Sequence, residues 1–379
     1  MRDPRIDKLA AVLVRYSANV QKGNLVRIGG EAPGIPLLEA LYEQVLLAGG
    51  HPFLQITTDN ADDAFFRLAT DEQLSYVDPL LQHMVDTIDV YMGVWADENT
   101  KSRSNVPPAK QALASKARRE AFSKRLLERA AKGELRWTAT QYPTPGSAQD
   151  AEMSVYEYMD FVYRAGLLHL PDPVAAWKAV SEKQQRLCDF LRTKKEIRVI
   201  GKGPGGDTDL RVGVEGRTWI NCDGHENFPD GEVFTGPIET ATEGTIRYSF
   251  PAVYQGRECH DIVLKFKAGK VVDARASKGE DFLLKMIDQD AGGRTLGEFA
   301  IGTNFGITQY TKNTLFDEKI GGTCHAALGA AYPESGGTNE SALHWDMVCD
   351  LRQPGCEIQA DGETILREGK FLREEWPTA

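Results

Sequence analysis

No stretch of about 18 consecutive apolar residues occurs in the chain, so no segment predicts a membrane-spanning helix. The first eight residues, Met1-Arg-Asp-Pro-Arg-Ile-Asp-Lys8, are charged and lead into no long apolar run, so no secretory leader is expected. Positive charge is in deficit: 44 Lys and Arg against 55 Asp and Glu give a formal charge of −11. A nucleic-acid binder usually carries a basic face, and this balance argues against one. Cysteine is sparse, with six in 379 residues and no Cys-x-x-Cys pair. That excludes a zinc ribbon or a disulfide scaffold and predicts reduced thiols in a cytoplasmic protein. No P-loop and no Gly-x-Ser-x-Gly elbow is present.

What remains is an ordinary globular composition in a chain longer than one core usually supports, which predicts two domains. Over residues 1–192 short apolar runs alternate with amphipathic segments. Asn24–Ile28, Pro52–Thr57, Thr87–Trp95 and Leu135–Thr140 read as strands. Residues 5–18, 36–47, 61–69, 72–85, 109–131, 150–166 and 173–192 read as helices, the last a connector. This predicts an α/β domain with a doubly wound, mostly parallel sheet. Residues 193–379 are β-rich: Glu196–Gly201, Thr208–Val214, Thr218–Cys222, Thr245–Phe250, Asp261–Lys267 and Lys270–Ala276 read as strands. Helices are expected near 279–290, around Glu298 and after Thr323, and a hairpin with Asp361-Gly362 at its turn is expected near the end. This half reads as an α+β domain.

Gly201-Lys-Gly203-Pro-Gly-Gly206 spells a dinucleotide fingerprint after a strand. A phosphate loop must open a helix, whereas the alternating Thr208–Val214 follows, so a hairpin turn is expected instead.

Only seven histidines occur, and two fall in one segment with an aspartate and a tyrosine: His325, Tyr332, His344 and Asp346. Imidazoles beside a carboxylate suit a borderline divalent cation. Gly321-Gly322-Thr323 reads as a turn with Thr323 capping an Ala-rich helix to Tyr332. On that helix His325 and Tyr332 would share a face. His344 and Asp346 would point the same way on an extended segment. Cys324, adjacent to His325, would pack behind the site. Taken singly, a buried histidine is better explained by a local hydrogen bond, whereas His, Tyr, His and Asp this close together favour the metal reading. Glu232 sits where the turn Asn227-Phe-Pro-Asp-Gly becomes a β-prone run, and Glu298 lies in the small, apolar stretch Leu296-Gly-Glu-Phe-Ala-Ile-Gly. Each glutamate is either exposed by a turn or held by a cation.

Asp230-Gly-Glu232-Val-Phe-Thr, Leu296-Gly-Glu298, Gly322-Thr-Cys-His325 with Tyr332, and His344-Trp-Asp346-Met together resemble the motifs of the thermophilic-type metallo-aminopeptidases, the aminopeptidase T and aminopeptidase S family. Tyr16-Ser17, Lys22-Gly23-Asn-Leu-Val and Ala48-Gly49-Gly are similar to it as well, so the likeness runs the full length. The resemblance implies a two-metal exopeptidase acting on peptides. Its metal ligands would be Glu232, Glu298, His325, His344 and Asp346, and Tyr332 its catalytic tyrosine. It further implies an N-terminal α/β domain, a metal-bearing C-terminal domain and a homodimer. His225-Glu226 departs from the family pattern, and His225 reads as a surface turn residue.

The residue types suit that chemistry. Two cations about 3.5–4 Å apart activate a water and polarise a carbonyl. A mixed N/O ligand set fits Zn²⁺, Co²⁺ or Mn²⁺. Tyr332 would donate to the developing oxyanion, and Glu232 or Glu298 would shuttle the proton. A second reading takes His325, His344 and Asp346 alone as the facial triad of a non-haem Fe(II) ring-cleaving dioxygenase of the dihydroxypyridine type. Glu232 and Glu298 discriminate, because a mononuclear iron site does not need them. A third reading, a relative that only binds, is disfavoured by the intact ligand set.

Overall fold

The structure is a computed structural model that describes residues 2–202 and 207–378. The chain divides into two compact units. One runs to Val174 and takes in Gly224–Phe228; the other comprises Ala175–Asp223 and the chain from Pro229 onward. All six cysteines are free thiols.

In the first unit, β1 (Leu25–Glu31), β2 (His51–Thr57), β3 (Val90–Trp95) and β4 (Arg136–Gln141) form a parallel sheet in the order β2-β1-β3-β4. Asn227–Phe228 adds to β4, also in parallel. The central strands bury Val26, Ile28, Val90 and Val94, the runs that made them readable as strands. Several expected helices are interrupted where the chain supplies its own caps. Residues 72–85 form two helices, Asp71–Leu74 and Pro79–Thr87, because Asp78 accepts the Leu80 N–H and Pro79 opens a new first turn. Likewise Ser154 and Glu157 make a capping box that begins Val155–Ala165 after Pro145–Asp150. His225 belongs to this unit, its ring centroid 4.6 Å from that of Tyr16.

The second unit is antiparallel and β-rich. Its larger sheet has eight strands and includes Glu196–Gly201, Thr208–Gly213, Thr242–Arg247, Val263–Lys267 and Lys270–Arg275. The first two pair antiparallel with Gly201 opposite Thr208, so no helix follows the glycine-rich stretch. Residues 203–206 of that stretch lie outside the described residues. Glu357–Ala360 and Glu363–Arg367 form the expected hairpin, and Asp361 and Gly362 both take positive φ at its turn. The helix Pro173–Leu191 packs Leu187, Cys188 and Leu191 into this unit's core.

The smaller sheet has five strands, in the order His344–Asp350, Thr323–Gly329, Leu296–Gly302, Glu232–Thr235 and Ile220–Cys222. Two expectations are corrected here: neither Cys324–Tyr332 nor the region around Glu298 is helical. Thr323 therefore caps no helix, and His325 and Tyr332 share no helical face. The Ala-rich segment carries high helix propensity, but it lies between two other strands with every residue buried. In that position small side chains fit a sheet covered on both faces, and tertiary packing overrides propensity.

Candidate metal centre

Strand alternation, rather than a helix, brings the candidate residues to one face of the five-stranded sheet. Glu298, Ala300 and Gly302 alternate on one strand, His325, Ala327 and Gly329 on the next, and His344 and Asp346 on the edge. The ladder sets small residues beside them. Ala300 lies opposite His325, Gly302 opposite Glu232, Ala327 opposite both Glu298 and Asp346, and Gly329 opposite His344. Cross-strand neighbours stand close, so glycine and alanine there leave room for long polar side chains to converge.

They converge tightly. His325 Nε2 lies 3.1 Å from Glu298 Oε1, 3.5 Å from Glu232 Oε2 and 3.9 Å from Asp346 Oδ1. His344 Nε2 lies 3.4 Å from Glu298 Oε2 and 3.5 Å from Asp346 Oδ1. Each imidazole donates its other nitrogen's proton to a backbone carbonyl: His325 Nδ1 to Glu318 O and His344 Nδ1 to Ala330 O, both at 2.9 Å. That assignment leaves the Nε2 lone pairs aimed at carboxylate oxygens, an arrangement that repels unless a proton or a metal cation lies between.

Two potential ligand groups, Glu232–Glu298–His325 and Glu298–His344–Asp346, each bring their donor atoms within 4.8 Å of one another, and Glu298 belongs to both. Among the described residues Glu232 Oε2 is buried with no hydrogen-bond partner. A buried ionised oxygen left so costs several kcal/mol unless a cation meets it. The donor set therefore fits divalent metal.

The electrostatics agree. Burial pushes the Glu232 carboxyl well above the usual carboxylate range, against the pull of Lys319. Burial would raise Glu298 too, but hydrogen bonds from His325 and His344 outweigh it and hold the group below its ordinary value. Asp346 is likewise held low, the two imidazoles overcoming its burial. Burial alone would lower His325; Glu232 and Glu298 instead raise it to about 10. His344 is raised as well, chiefly by Asp346 against its burial.

Lys319 also belongs to the site, although little in the sequence marks it. Its side chain is completely buried, with Nζ 3.6 Å from Glu232 Oε1 and 3.9 Å from Asp230 Oδ1, and it pairs with Glu318. Burial would lower its pKa, yet the three carboxylates raise it well above the ordinary lysine value, so Lys319 carries the charge. In sequence, Asp317-Glu318-Lys319 looks like any solvated charge run; the one pointer was Asp230 within the Asp230-Gly-Glu232 motif. Glu318, with His325 and Asp346, forms a further group of potential ligands.

Tyr332 lies beyond the end of the His325 strand, capping the short turn Pro333–Ser335. Its ring centroid is 5.1 Å from that of His344 and 5.4 Å from that of Phe234. The hydroxyl pKa is moved up by desolvation, so it stays a donor at neutral pH. Cys324 points to the opposite face and packs in the core, behind the site as expected but by strand alternation.

The profile of the family described as thermophilic metalloprotease (M29) matches residues 2–371. "Aminopeptidase 2" of Geobacillus stearothermophilus is 26% identical, with 98% of each chain covered. "Aminopeptidase T" of Thermus thermophilus is 29% identical, covering 97% of this chain and 98% of that one. The solved structure of wild-type AmpT from Thermus thermophilus superposes with a TM-score of 0.86 at 27% identity, covering 98% of this chain and 99% of that one. A 2,5-dihydroxypyridine dioxygenase from Pseudomonas putida reaches a TM-score of 0.59 at 11% identity over 98% of each chain, a likeness of fold alone.

Proposed function

The chain belongs to the thermophilic metalloprotease (M29) family and is a metal-dependent aminopeptidase; from that premise we propose that it removes N-terminal residues from peptides with two divalent cations per subunit. The ligands in this proposal are Glu232, Glu298, His325, His344 and Asp346. The observation that carries it is the Glu298 carboxylate, which turns Oε1 to His325 and Oε2 to His344 and so belongs to both ligand groups.

When bound, such cations supply Lewis-acid polarisation of the scissile carbonyl and lower the pKa of water. The chain's own residues do the rest. Backbone carbonyls hold both imidazoles with Nε2 turned inward. Glu298 and Asp346, ionised at neutral pH, supply negative charge, and Lys319 balances the carboxylates behind them. Glu232, with one oxygen that accepts no hydrogen bond and with a raised pKa, is assigned to accept the proton of the attacking water. Tyr332 is assigned to donate its hydroxyl hydrogen to the oxyanion. The proposal takes the homodimer and the cytoplasm as assembly and location. Among the described residues no helix is long and apolar enough to cross a membrane.

The iron-dioxygenase reading uses only His325, His344 and Asp346 and leaves the buried Glu232 and Lys319 without a role. Hydrolysis of amino-acyl p-nitroanilides, abolished by chelation and restored by Co²⁺ or Zn²⁺, supports the proposal. Oxygen uptake with a hydroxypyridine and no peptidase activity would overturn it.

A further inference from the structure

The first unit contains a cavity of about 600 Å³ on one face of its parallel sheet. Its floor is bare because two glycines are register partners on the central strands: Gly29 of β1 lies opposite Gly93 of β3. A Cβ on Gly29 would lie 2.1 Å from the Arg27 guanidinium, and one on Gly93 would lie 3.1 Å from the Tyr91 hydroxyl. The glycines thus let Arg27 and Tyr91, themselves register partners, lie flat along the sheet, with the Arg27 guanidinium 4.7 Å from the Tyr91 ring centroid.

Arg27 is only 7% exposed. Nε and Nη2 donate to Gln55 Oε1 at 3.0 and 2.8 Å, and no carboxylate comes within ion-pair distance of it among the described residues. Arg118, also lining the cavity but exposed, has no carboxylate within ion-pair distance among the described residues; its charge adds to the burial that lowers the Arg27 pKa. The buried Arg27 guanidinium thus faces the cavity with no ion-pair partner among the described residues, and a buried cation left so calls for an anion.

The other end has the opposite character. Glu31 stands two residues beyond Gly29 on the same face of β1, and Asp59 and Asp97 line the cavity with it. Glu31 Oε2 accepts the Ala96 N–H at 2.7 Å, and Arg103, which also lines the cavity, is the cation near Glu31 and Asp97; three carboxylates, Glu31, Asp59 and Asp97, thus face this end. Asp62 is already paired with Arg103. Phe65, Phe66, Trp95 and Phe122 also line the cavity.

We propose that this cavity binds a free amino acid with a large apolar side chain as its zwitterion, the carboxylate on Arg27 and Arg118, the ammonium on Glu31 and Asp59, and the side chain against the aromatic wall. The cavity of about 600 Å³ has room for such a molecule, and Arg27, Gly29 and Glu31 share one face of β1, so groups of both signs line the same space. A phosphate compound suits the cavity poorly, since Glu31 and its neighbours would repel it. The ligand is of the class that the proposed hydrolysis releases; only that link rests on the aminopeptidase reading, while binding is measured independently of it.

The test is calorimetric titration of L-phenylalanine into the full, metal-chelated protein. Saturable binding is expected. It should weaken about tenfold or more for N-acetyl-L-phenylalanine, for L-phenylalaninamide, and in the Arg118→Gln and Glu31→Gln variants, while His344→Ala leaves it unchanged. Arg118 is exposed, so its variant tests the proposal even if Arg27→Gln fails to fold. Absence of saturable binding into the millimolar range would overturn the proposal. So would binding that His344→Ala removes and Arg118→Gln leaves intact, since the amino acid would then sit at the metal centre. Peptidase activity of the same preparation reports separately on the hydrolytic reading.

Discussion

Lys319 Nζ lies 3.6 Å from Glu232 Oε1, and both side chains are buried. A fixed positive charge thus stands beside Oε1, while Oε2, turned to His325, is the oxygen that would hold the proposed cation. Lys319→Met should therefore destabilise the metal-free protein by about 3 kcal/mol or more, because Glu232, Glu318 and Asp230 lose a shared buried counter-charge. Part of that loss should return when metal is added. Denaturant titrations with and without Zn²⁺ measure both quantities, and an equal loss in the two conditions would deny the coupling between Lys319 and the metal centre.

Glu298 is the carboxylate common to the two ligand groups. Glu298→Ala is expected to remove about one metal ion per subunit and to abolish peptidase activity, since the proposed water activation needs both cations. Metal analysis beside the p-nitroanilide assay checks this. Full activity with full metal content would sink the two-metal assignment.

The imidazoles make metal loading a proton-linked event. In the metal-free protein His325 titrates at about 10, and His344 is raised as well. Both are therefore charged at pH 7, and ligation requires them neutral. Loading at pH 7 should release about two protons per subunit, measured by calorimetry in buffers of different ionisation enthalpy. The stability term has the matching sign. A histidine whose folded pKa lies above its unfolded value of about 6.5 stabilises fully below that pH, and its contribution is lost as pH rises through about 10. Metal-free protein should accordingly lose stability across pH 7 to 10, and metal-loaded protein less so.

How far the sequence led differs from residue to residue. Glu298 and His325 are legible only as members of a set: alone, a turn explains the glutamate and a local hydrogen bond the histidine, whereas with Tyr332, His344 and Asp346 close in sequence the metal reading prevails. The parallel strands were legible from their buried β-branched residues, but their order was not, since it depends on contacts between residues far apart in the chain. Ala326, Ala327 and Ala330 misled, because helix propensity is local and the strands that flank them are not. The convergence of His325 with Asp346 was expected through a helix face and an extended segment, whereas two adjacent antiparallel strands produce it. Lys319 was illegible: a lysine next to a glutamate ordinarily lies in water, and only the fold surrounds it with Glu232, Asp230 and Glu318.

Tyr332 offers the sharpest separation of catalysis from binding. The residue is 42% exposed and its ring touches the centre by its edge contact with His344, so removing the hydroxyl leaves the packing in place. Its oxygen ligates nothing in the proposal, so metal content should not change. The hydroxyl's interaction is made with charge that develops only as the amide is attacked. Its loss should therefore appear in kcat and in kcat/KM together, with KM little altered. Tyr332→Phe is expected to lower kcat about 10²-fold, the scale of one oxyanion donor, at unchanged thermal stability and metal content. Steady-state kinetics on an amino-acyl p-nitroanilide read this directly. A rise in KM at constant kcat would instead make Tyr332 a substrate-binding residue and return the oxyanion role to the proposed cations alone.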